Sequence, residues 1–299
     1  MTNDEFFSKC LRTDKKDPRG TNENAIRILA AMIEDHKKVA DPSVRSIAEN
    51  VGVIGDIAPN FIVFESQTGS FYMHNFKAYQ VKTDCKYEVA SHEFGHAVLN
   101  IANDTRVPEG FEDVIKRAQE YALSPDKKEE FKEYVEFLAK HKDELSVGEK
   151  GPVGDIISSI FQQPGFRIGS HDNVCILPAF HQHSYYYDDE KNCMKLKPIF
   201  DENFANIYAL KALGANKELD KLKSLFGDEF MQVMESQIDM VAQFLERQTT
   251  RDVSEEEHIN NDRAQIMSAI MGQRSGELVE VREPAELKQD KENTSREDK

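Results

Sequence analysis

Three residues near the middle of the chain have the types and the spacing of a metal site. His92 and His96 lie four residues apart, and Glu93 lies between them in the stretch Ser-His-Glu-Phe-Gly-His-Ala. If this stretch is helical, both imidazoles leave the same face one turn apart, where they can bind one zinc ion. Glu93 then lies close enough to accept a proton from an attacking water without being a ligand itself. The H-E-x-x-H spacing therefore predicts a catalytic zinc centre.

The other face of this segment predicts how the helix is held. Apolar residues recur on it at helical spacing: Ala90, Phe94, Ala97 and Ile101. These side chains should pack into the core. Gly95 is unusual, because a glycine inside a helix costs about 1 kcal/mol relative to alanine. We therefore expect a bound substrate or a closely packed neighbour directly above Gly95.

Two imidazoles need a third protein ligand to make a catalytic zinc site. An extended motif with a third histidine is excluded, because Leu99 and Ala102 occupy its glycine and histidine positions. The best candidate is Glu202, in a segment of helical pattern. Ala205 shares its face, and such a small side chain would let this helix approach the histidine helix closely. Asn206, one turn after Glu202, is placed to hydrogen-bond a ligand imidazole.

The irregular segment 162–198, rich in Gly, Pro, His and Tyr, leaves other site residues open. It contains the competing candidates for the third ligand: Asp172, Asp188, Asp189 and Glu190. It also contains candidates for the hydrogen-bond donor that would stabilise an oxyanion: His183 and Tyr186, with His181 as a further histidine.

Two of these motifs resemble those of zincin metalloproteases. The stretch H-E-F-G-H-A resembles the zincin active-site helix, and Glu-Asn-Phe-Ala-Asn-Ile-Tyr, which begins at Glu202, resembles the glutamate helix of lethal-factor-type gluzincins. The resemblance covers roughly residues 61–213. It implies a zinc endopeptidase in which Glu93 is the general base, with the following zinc ligands: His92, His96 and Glu202.

The sequence departs from the pattern of the lethal-factor group in three ways. Lys195 stands where the lethal-factor group has a tyrosine, seven residues before the glutamate, and Asn206 stands where the group often has an acid. The spacing from His96 to Glu202 is also long. It requires two polar segments of helical pattern, at 109–123 and 126–142, to be an insertion.

Hydrophobic patterning predicts an α+β, mostly helical fold with a small β-sheet before the histidine helix, and the resemblance implies that this fold is zincin-like. Segments 61–66 and 69–76 have strand patterns on either side of a Gln-Thr-Gly turn, and 78–82 is a third candidate strand. Zincins commonly place such a sheet beside the active site. Its edge strand would receive the backbone of an extended substrate by strand addition.

We expect three regions along the chain. Residues 1–58 form an N-terminal helical region, and residues 59–248 form the metalloprotease domain. Residues 249–299 form an acidic, largely disordered tail, because they contain too few apolar residues to offset the entropy of ordering.

Composition limits the partners. The formal net charge of -16 argues against nucleic acid and anionic membranes, since both attract basic proteins. No segment approaches the ~20 apolar residues of a membrane span, and the N-terminus lacks the pattern of a signal peptide. Four cysteines without a C-x-x-C pair indicate reduced thiols in an intracellular protein.

This architecture is similar to that of translocated bacterial effectors. Some effectors delivered by type IV secretion carry acidic C-terminal signals, and some are H-E-x-x-H proteases that act on host proteins, including actin. The similarity implies a protein made in the bacterial cytoplasm and translocated into the host cytoplasm, with a protein substrate and a tail that contacts the secretion apparatus. Two other classes stay open: a binding protein with a structural zinc, and a helical protein without a metal.

Overall fold

The computed structural model describes residues 1–103, 106–141, 143–161, 181 and 183–249, with Asn103 and His183 described by their backbone. The helices of this part are α1 (Asn3–Cys10), α2 (Glu23–His36), α3 (Pro42–Glu49), α4 (Gly52–Ile57), α5 (Tyr87–Asn103), α6 (Phe111–Ala122), α7 (Lys128–Lys140), α8 (Gly154–Phe161), α9 (His183–Tyr186), α10 (Leu196–Ala212) and α11 (Asn216–Thr249). The strands are β1 (Ile62–Ser66), β2 (Phe71–Met73), β3 (Ala78–Lys82), β4 (Tyr187–Asp188) and β5 (Cys193–Met194). The predicted α+β, mostly helical fold is confirmed.

The described residues between Met1 and Thr249 belong to one compact unit. This unit contains α1 to α4, which lie in the segment 1–58, and all the later elements up to the end of α11 at Thr249. The rest of the predicted tail, 250–299, lies outside the described residues. None of the helices described combines the length and the apolar character needed to cross a bilayer.

The three-stranded sheet has the order β1-β3-β2. β3 pairs in parallel with β1 and antiparallel with β2. The turn predicted at 67–69 therefore does not join neighbouring strands, because β3 lies between them. β3 takes the central place because it is the most deeply buried of the three strands, with Ala78, Tyr79 and Val81 all inaccessible to solvent. Among the strands described, β2 therefore pairs only with β3 and forms one edge of the sheet.

Helices α5 and α10 form the centre of the unit. The apolar face predicted for α5 is confirmed as core, because Ala90, Phe94 and Ala97 are almost fully buried. α10 is buried on all sides, since every residue from Ile199 to Leu210 is inaccessible or nearly so. Buried polar groups need hydrogen-bond partners, so the polar side chains of α10 must be matched by groups on the surrounding elements.

The two polar segments predicted to be helical are α6 and α7. Each buries an apolar stripe and exposes its charges; Phe111 and Ile115 of α6 and Phe131 and Leu138 of α7 are buried. A surface ion pair joins α6 to α11, with the Arg117 guanidinium donating to both carboxylate oxygens of Glu229 at 2.7 Å. α6 and α7 thus account for much of the long sequence spacing between His96 and Glu202, and both pack beside α11.

Candidate metal centre

Three donor atoms from α5 and α10 converge in the interior. Nε2 of His92 lies 3.1 Å from Nε2 of His96, and Oε2 of Glu202 lies 3.2 Å from each of these nitrogens. All three side chains are buried, with exposed fractions of 3% for His92, 6% for His96 and 2% for Glu202. The structure therefore brings together the three predicted ligands, and these residues can hold a metal ion.

The spacing of the three atoms fits a zinc ion. Donors at about 2.0–2.1 Å from a tetrahedral ion lie about 3.3–3.4 Å from one another, close to the observed separations. Two imidazoles and one carboxylate are also a donor set that catalytic zinc uses. Three groups with lone pairs directed at one point repel each other unless a cation or a proton lies among them.

The candidate ligands influence each other's charge. Burial opposes the charged form of His92, but the hydrogen bond and the negative charge of Glu202 outweigh burial and raise the pKa of His92 to about 9. Burial likewise opposes the charged form of Glu202. The neighbouring His96 and His92 outweigh that effect and hold the pKa of Glu202 well below its ordinary value. The site thus keeps an ionised carboxylate deep in the core, ready to balance a cation.

The ligand group has three members among the residues that the structure describes. No fourth His, Cys, Asp or Glu of this part offers an atom within reach of all three donors. Structural zinc sites are closed by four protein ligands, whereas catalytic sites keep one position for water or substrate. Three protein donors are the number that a catalytic zinc site uses.

Glu93 lies between the two histidines in sequence and next to the sheet in space. The backbone N–H of Tyr72 in β2 donates a hydrogen bond to Oε2 of Glu93 at 2.8 Å. Burial raises the pKa of Glu93, although the neighbouring histidines partly offset it. A raised pKa brings a carboxylate closer to the range in which it can both accept and return a proton.

Two tyrosines of α9 occupy different environments. The Tyr185 hydroxyl donates to Oε1 of Glu202 at 3.1 Å, and the residue as a whole is 41% exposed. The Tyr186 hydroxyl is buried and donates to Oδ2 of Asp155 at 2.8 Å. These contacts place Tyr185 at the candidate ligands and Tyr186 behind them. The side chain of His183 lies outside the described residues.

Asp155 of α8 is a site residue that the sequence did not identify. Its buried carboxylate accepts hydrogen bonds from the Tyr186 hydroxyl, from Nδ2 of Asn206 at 2.9 Å and from the backbone N–H of His181 at 3.1 Å. The prediction that Asn206 bonds a ligand imidazole is wrong, because its amide turns towards α8 instead. The available signal was a lone carboxylate in a segment whose other residues are apolar or small and uncharged.

His181 lies between Asp155 and the ligand group. Its Nδ1 is 3.6 Å from Oδ1 of Asp155 and 3.7 Å from Oε2 of Glu202. Its ring stacks on Tyr185, with 4.2 Å between ring centroids. Burial lowers the pKa of His181, but the neighbouring carboxylate groups of Asp155 and Glu202 outweigh burial and raise it.

The competing third ligands are not part of the three-atom group. Asp188 forms an ion pair with Lys191 at 3.0 Å, and the adjacent Asp189 and Glu190 are exposed. Asp172 lies outside the described residues. Lys195, which departs from the zincin pattern, uses its ammonium group to bond the carbonyl oxygen of Ser184 at 2.8 Å.

Comparisons with protein-family models, curated proteins and solved structures find no match to this chain. The chemistry of the site therefore has to be inferred from its own residues.

Proposed function

We propose that the protein is a zinc-dependent endopeptidase. His92, His96 and Glu202 would hold the ion through the three atoms that lie 3.1–3.2 Å apart. This convergence of buried donors from two helices carries the proposal. It is supported by the three-member composition of the group, which leaves a position for water or substrate.

A bound zinc ion would act as a Lewis acid, lowering the pKa of water and polarising a peptide carbonyl. Glu93 would accept the proton of the attacking water at its carboxylate and return it to the leaving amine. The N–H of Tyr72 would hold this carboxylate by its Oε2 atom. Burial of Glu93 favours such proton exchange, because it raises the pKa of the carboxylate.

Tyr185 is the best-placed donor for the oxyanion. Its hydroxyl already reaches the carboxylate of Glu202, and burial together with the charge of Glu202 raises its pKa, so the phenol keeps its proton. The hydroxyl of Tyr186 is occupied by Asp155. These contacts favour Tyr185 over Tyr186 as the group that donates a hydrogen bond during the reaction.

The outer edge of β2, where Glu93 already accepts from the N–H of Tyr72, supports an extended peptide as the substrate. The N–H of Tyr72 points away from β3 and towards Glu93, so a strand added to this edge would run past the general base. Phe71, on the same strand, is 40% exposed and would lie against side chains of the added peptide.

The proposal is tested by metal analysis and peptide turnover on the same preparations. We expect about one zinc per chain in the wild type, and loss of zinc in His92→Ala and His96→Ala. Glu93→Gln should retain zinc and lose proteolysis, because only the proton acceptor is removed. N-terminal labelling of a eukaryotic lysate, with Glu93→Gln as the control, would identify cleaved proteins. Wild-type protein that takes up no zinc on reconstitution would refute the proposal.

A binding protein with a structural zinc is the second candidate. It requires a fourth protein ligand and gives Glu93 no chemical task, whereas the described residues supply three donors. Zinc-loaded wild-type protein that cleaves nothing in the lysate, with Glu93→Gln indistinguishable from it, would favour this candidate.

We also propose that the protein acts after translocation into a host cell, on a cytosolic protein such as actin. The acidic composition of the segment 277–299 supports this setting, because some type IV secretion signals have that character. Removal of residues 250–299 should abolish delivery in an infection assay while the purified protein keeps its zinc. Undiminished delivery would contradict the proposal.

A further inference from the structure

His36, the last residue of α2, is buried among elements that carry the metal ligands. Its exposed fraction is 0%, and both ring nitrogens are used. Nε2 lies 3.0 Å from Oγ of Ser91 in α5, and Nδ1 lies 3.1 Å from the hydroxyl of Tyr208 in α10. One imidazole thus bonds to both ligand-bearing helices, although none of the candidate ligands touches it in these hydrogen bonds.

The two hydroxyls lie close to the metal ligands along the chain. Ser91 immediately precedes His92, and Tyr208 follows Glu202 by six residues on α10. The ring of Tyr208 also covers Gly95, where an added Cβ would lie 3.3 Å from Cδ1 of the tyrosine. The hydrogen bonds of His36 therefore act at the contact between the two helices.

The surroundings of His36 make these bonds directional and persistent. Three aromatic rings enclose the imidazole, with centroid distances of 5.7 Å to Tyr208, 5.8 Å to Tyr87 and 6.3 Å to Phe94. Burial keeps the ring neutral by lowering its pKa to about 4. A neutral imidazole has one donor and one acceptor, and a hydroxyl can complement either. Breaking one of these bonds would leave a buried polar group unsatisfied, which is costly.

Apolar contacts between two helices tolerate small shifts, whereas a metal centre does not. Donor distances in zinc sites are kept within about 0.2 Å. Glu202 comes from a different helix than the two histidines, so its distance to them depends on how α5 and α10 are held. A hydrogen-bonded chain from Ser91 through His36 to Tyr208 fixes that relation more tightly than packing alone.

We propose that His36 is a positioning residue that sets the register of α5 against α10 and thereby the geometry of the metal centre. The inference rests on the proposed zinc site. The inference gives α2 a role in holding the metal, although α2 lies outside the segments that resemble zincins.

The experiment compares Zn²⁺ affinity, by competition with a chromophoric chelator, and the visible spectrum of the Co²⁺-substituted protein. His36→Leu, which removes both bonds at similar volume, should weaken Zn²⁺ binding about 10-fold, the lower end of the loss seen when groups that orient ligands are removed. Its Co²⁺ spectrum should shift in position and intensity. Ser91→Ala and Tyr208→Phe should each give part of this loss, and His36→Gln, which can keep one bond, should recover part of it.

Tyr79→Phe is the matched control. The Tyr79 hydroxyl is buried and donates to the carbonyl oxygen of Ala90 in α5 at 2.8 Å, but it comes from β3 and does not reach α10. This variant should unfold at a lower temperature while its Zn²⁺ affinity and Co²⁺ spectrum stay at wild-type values. An equal loss of Zn²⁺ affinity in Tyr79→Phe would overturn the inference, because the effect would then be general.

The outcomes separate the two proposals. Wild-type protein that binds neither ion overturns the zinc site and the role of His36 together. Wild-type protein that binds Zn²⁺, with His36→Leu folded and equal to it in affinity and Co²⁺ spectrum, overturns only the role of His36. If His36→Leu does not fold, Ser91→Ala and Tyr208→Phe decide, and wild-type affinity and spectra in both would refute the inference.

Discussion

Gly95 of α5 and Ala205 of α10 are in backbone contact, since a Cβ atom added to Gly95 would lie 2.9 Å from the Cα atom of Ala205. The neighbour expected above this glycine is therefore a helix. The contact lies one residue before His96 on α5 and three residues after Glu202 on α10, so the small side chains of the two helices decide how near the carboxylate comes to the imidazoles.

Gly95→Ala should weaken zinc binding by at least about 10-fold, because the added methyl group must push α10 away from α5. The free energy of unfolding should change less, since alanine gains about 1 kcal/mol of helix propensity, which partly offsets the overlap. Zinc competition and urea unfolding on the same protein test this. Gly69→Ala is the control, because a Cβ there meets no atom within 4 Å. Equal zinc affinities in all three proteins would contradict the prediction.

Removal of the Glu202 carboxylate should lower the zinc affinity more than changes to Asp155 or Asn206, which lie behind it. Glu202→Ala deletes a ligand atom, whereas Asp155→Asn and Asn206→Ala disturb a network that supports the site from α8. We expect losses of roughly 10–100-fold or less for the latter two, with Asn206→Ala the mildest. Zinc content after dialysis ranks the variants. If Asp172→Ala loses the metal while Glu202→Ala keeps it, the assignment of the third ligand is wrong.

Tyr185→Phe and Tyr186→Phe should affect different properties: the first should lower kcat, and the second should lower the free energy of unfolding. Tyr185→Phe in its zinc-loaded form should lose about 10²-fold in kcat, as expected for one oxyanion donor, and its zinc affinity should fall by no more than the roughly 10–100-fold expected for a group that orients a ligand. Tyr186→Phe leaves the buried Asp155 carboxylate short of a donor, so it should lower the free energy of unfolding by about 1–3 kcal/mol. Peptide kinetics and urea unfolding on both variants separate the roles. A larger kcat loss in Tyr186→Phe would assign the donor to Tyr186.

His36 should make the fold sensitive to acid. Burial, slightly opposed by the charge of Asp35, lowers its pKa from 6.5 to about 4. Between these values the unfolded chain binds a proton that the folded chain excludes, so stability is full above pH 6.5 and is lost as the pH falls towards 4. The loss between pH 7 and pH 5 should be about 2 kcal/mol.

Urea unfolding in the presence of a chelator, at pH 7 and pH 5, measures this loss without a contribution from bound metal. His36→Gln should be less stable at pH 7 but should lack the His36 part of the pH dependence. An identical drop in both proteins would show that other groups cause it.

The local parts of the site could be read from the sequence. Residues at i and i+4 share a helix face whatever the rest of the fold does, so the spacing of His92 and His96 was sufficient to place them together. Glu202 and Ala205 could be paired for the same reason, because both lie on one helix and a small residue beside an acid permits close approach. The apolar stripe of α5 and the mostly helical fold followed from periodicity alone.

Other contacts were decided only by the tertiary structure. Asn206 follows Glu202 by one turn, but the direction of its amide depends on α8, where Asp155 offers a charged acceptor. Tyr185 and Tyr186 are adjacent in the chain, and a helix turns successive side chains about 100° apart, so only the docking of α9 selects which one meets Glu202.

Long-range contacts could not be predicted from the sequence for a related reason. The order β1-β3-β2 depended on which strand the helices bury most deeply, and strand patterns do not encode that order. His36 bonds residues 55 and 172 positions away, and a histidine at the end of an amphipathic helix has no local pattern that identifies such partners. The sequence by itself determined which groups share a helix face, and packing between helices determined which of those faces meet.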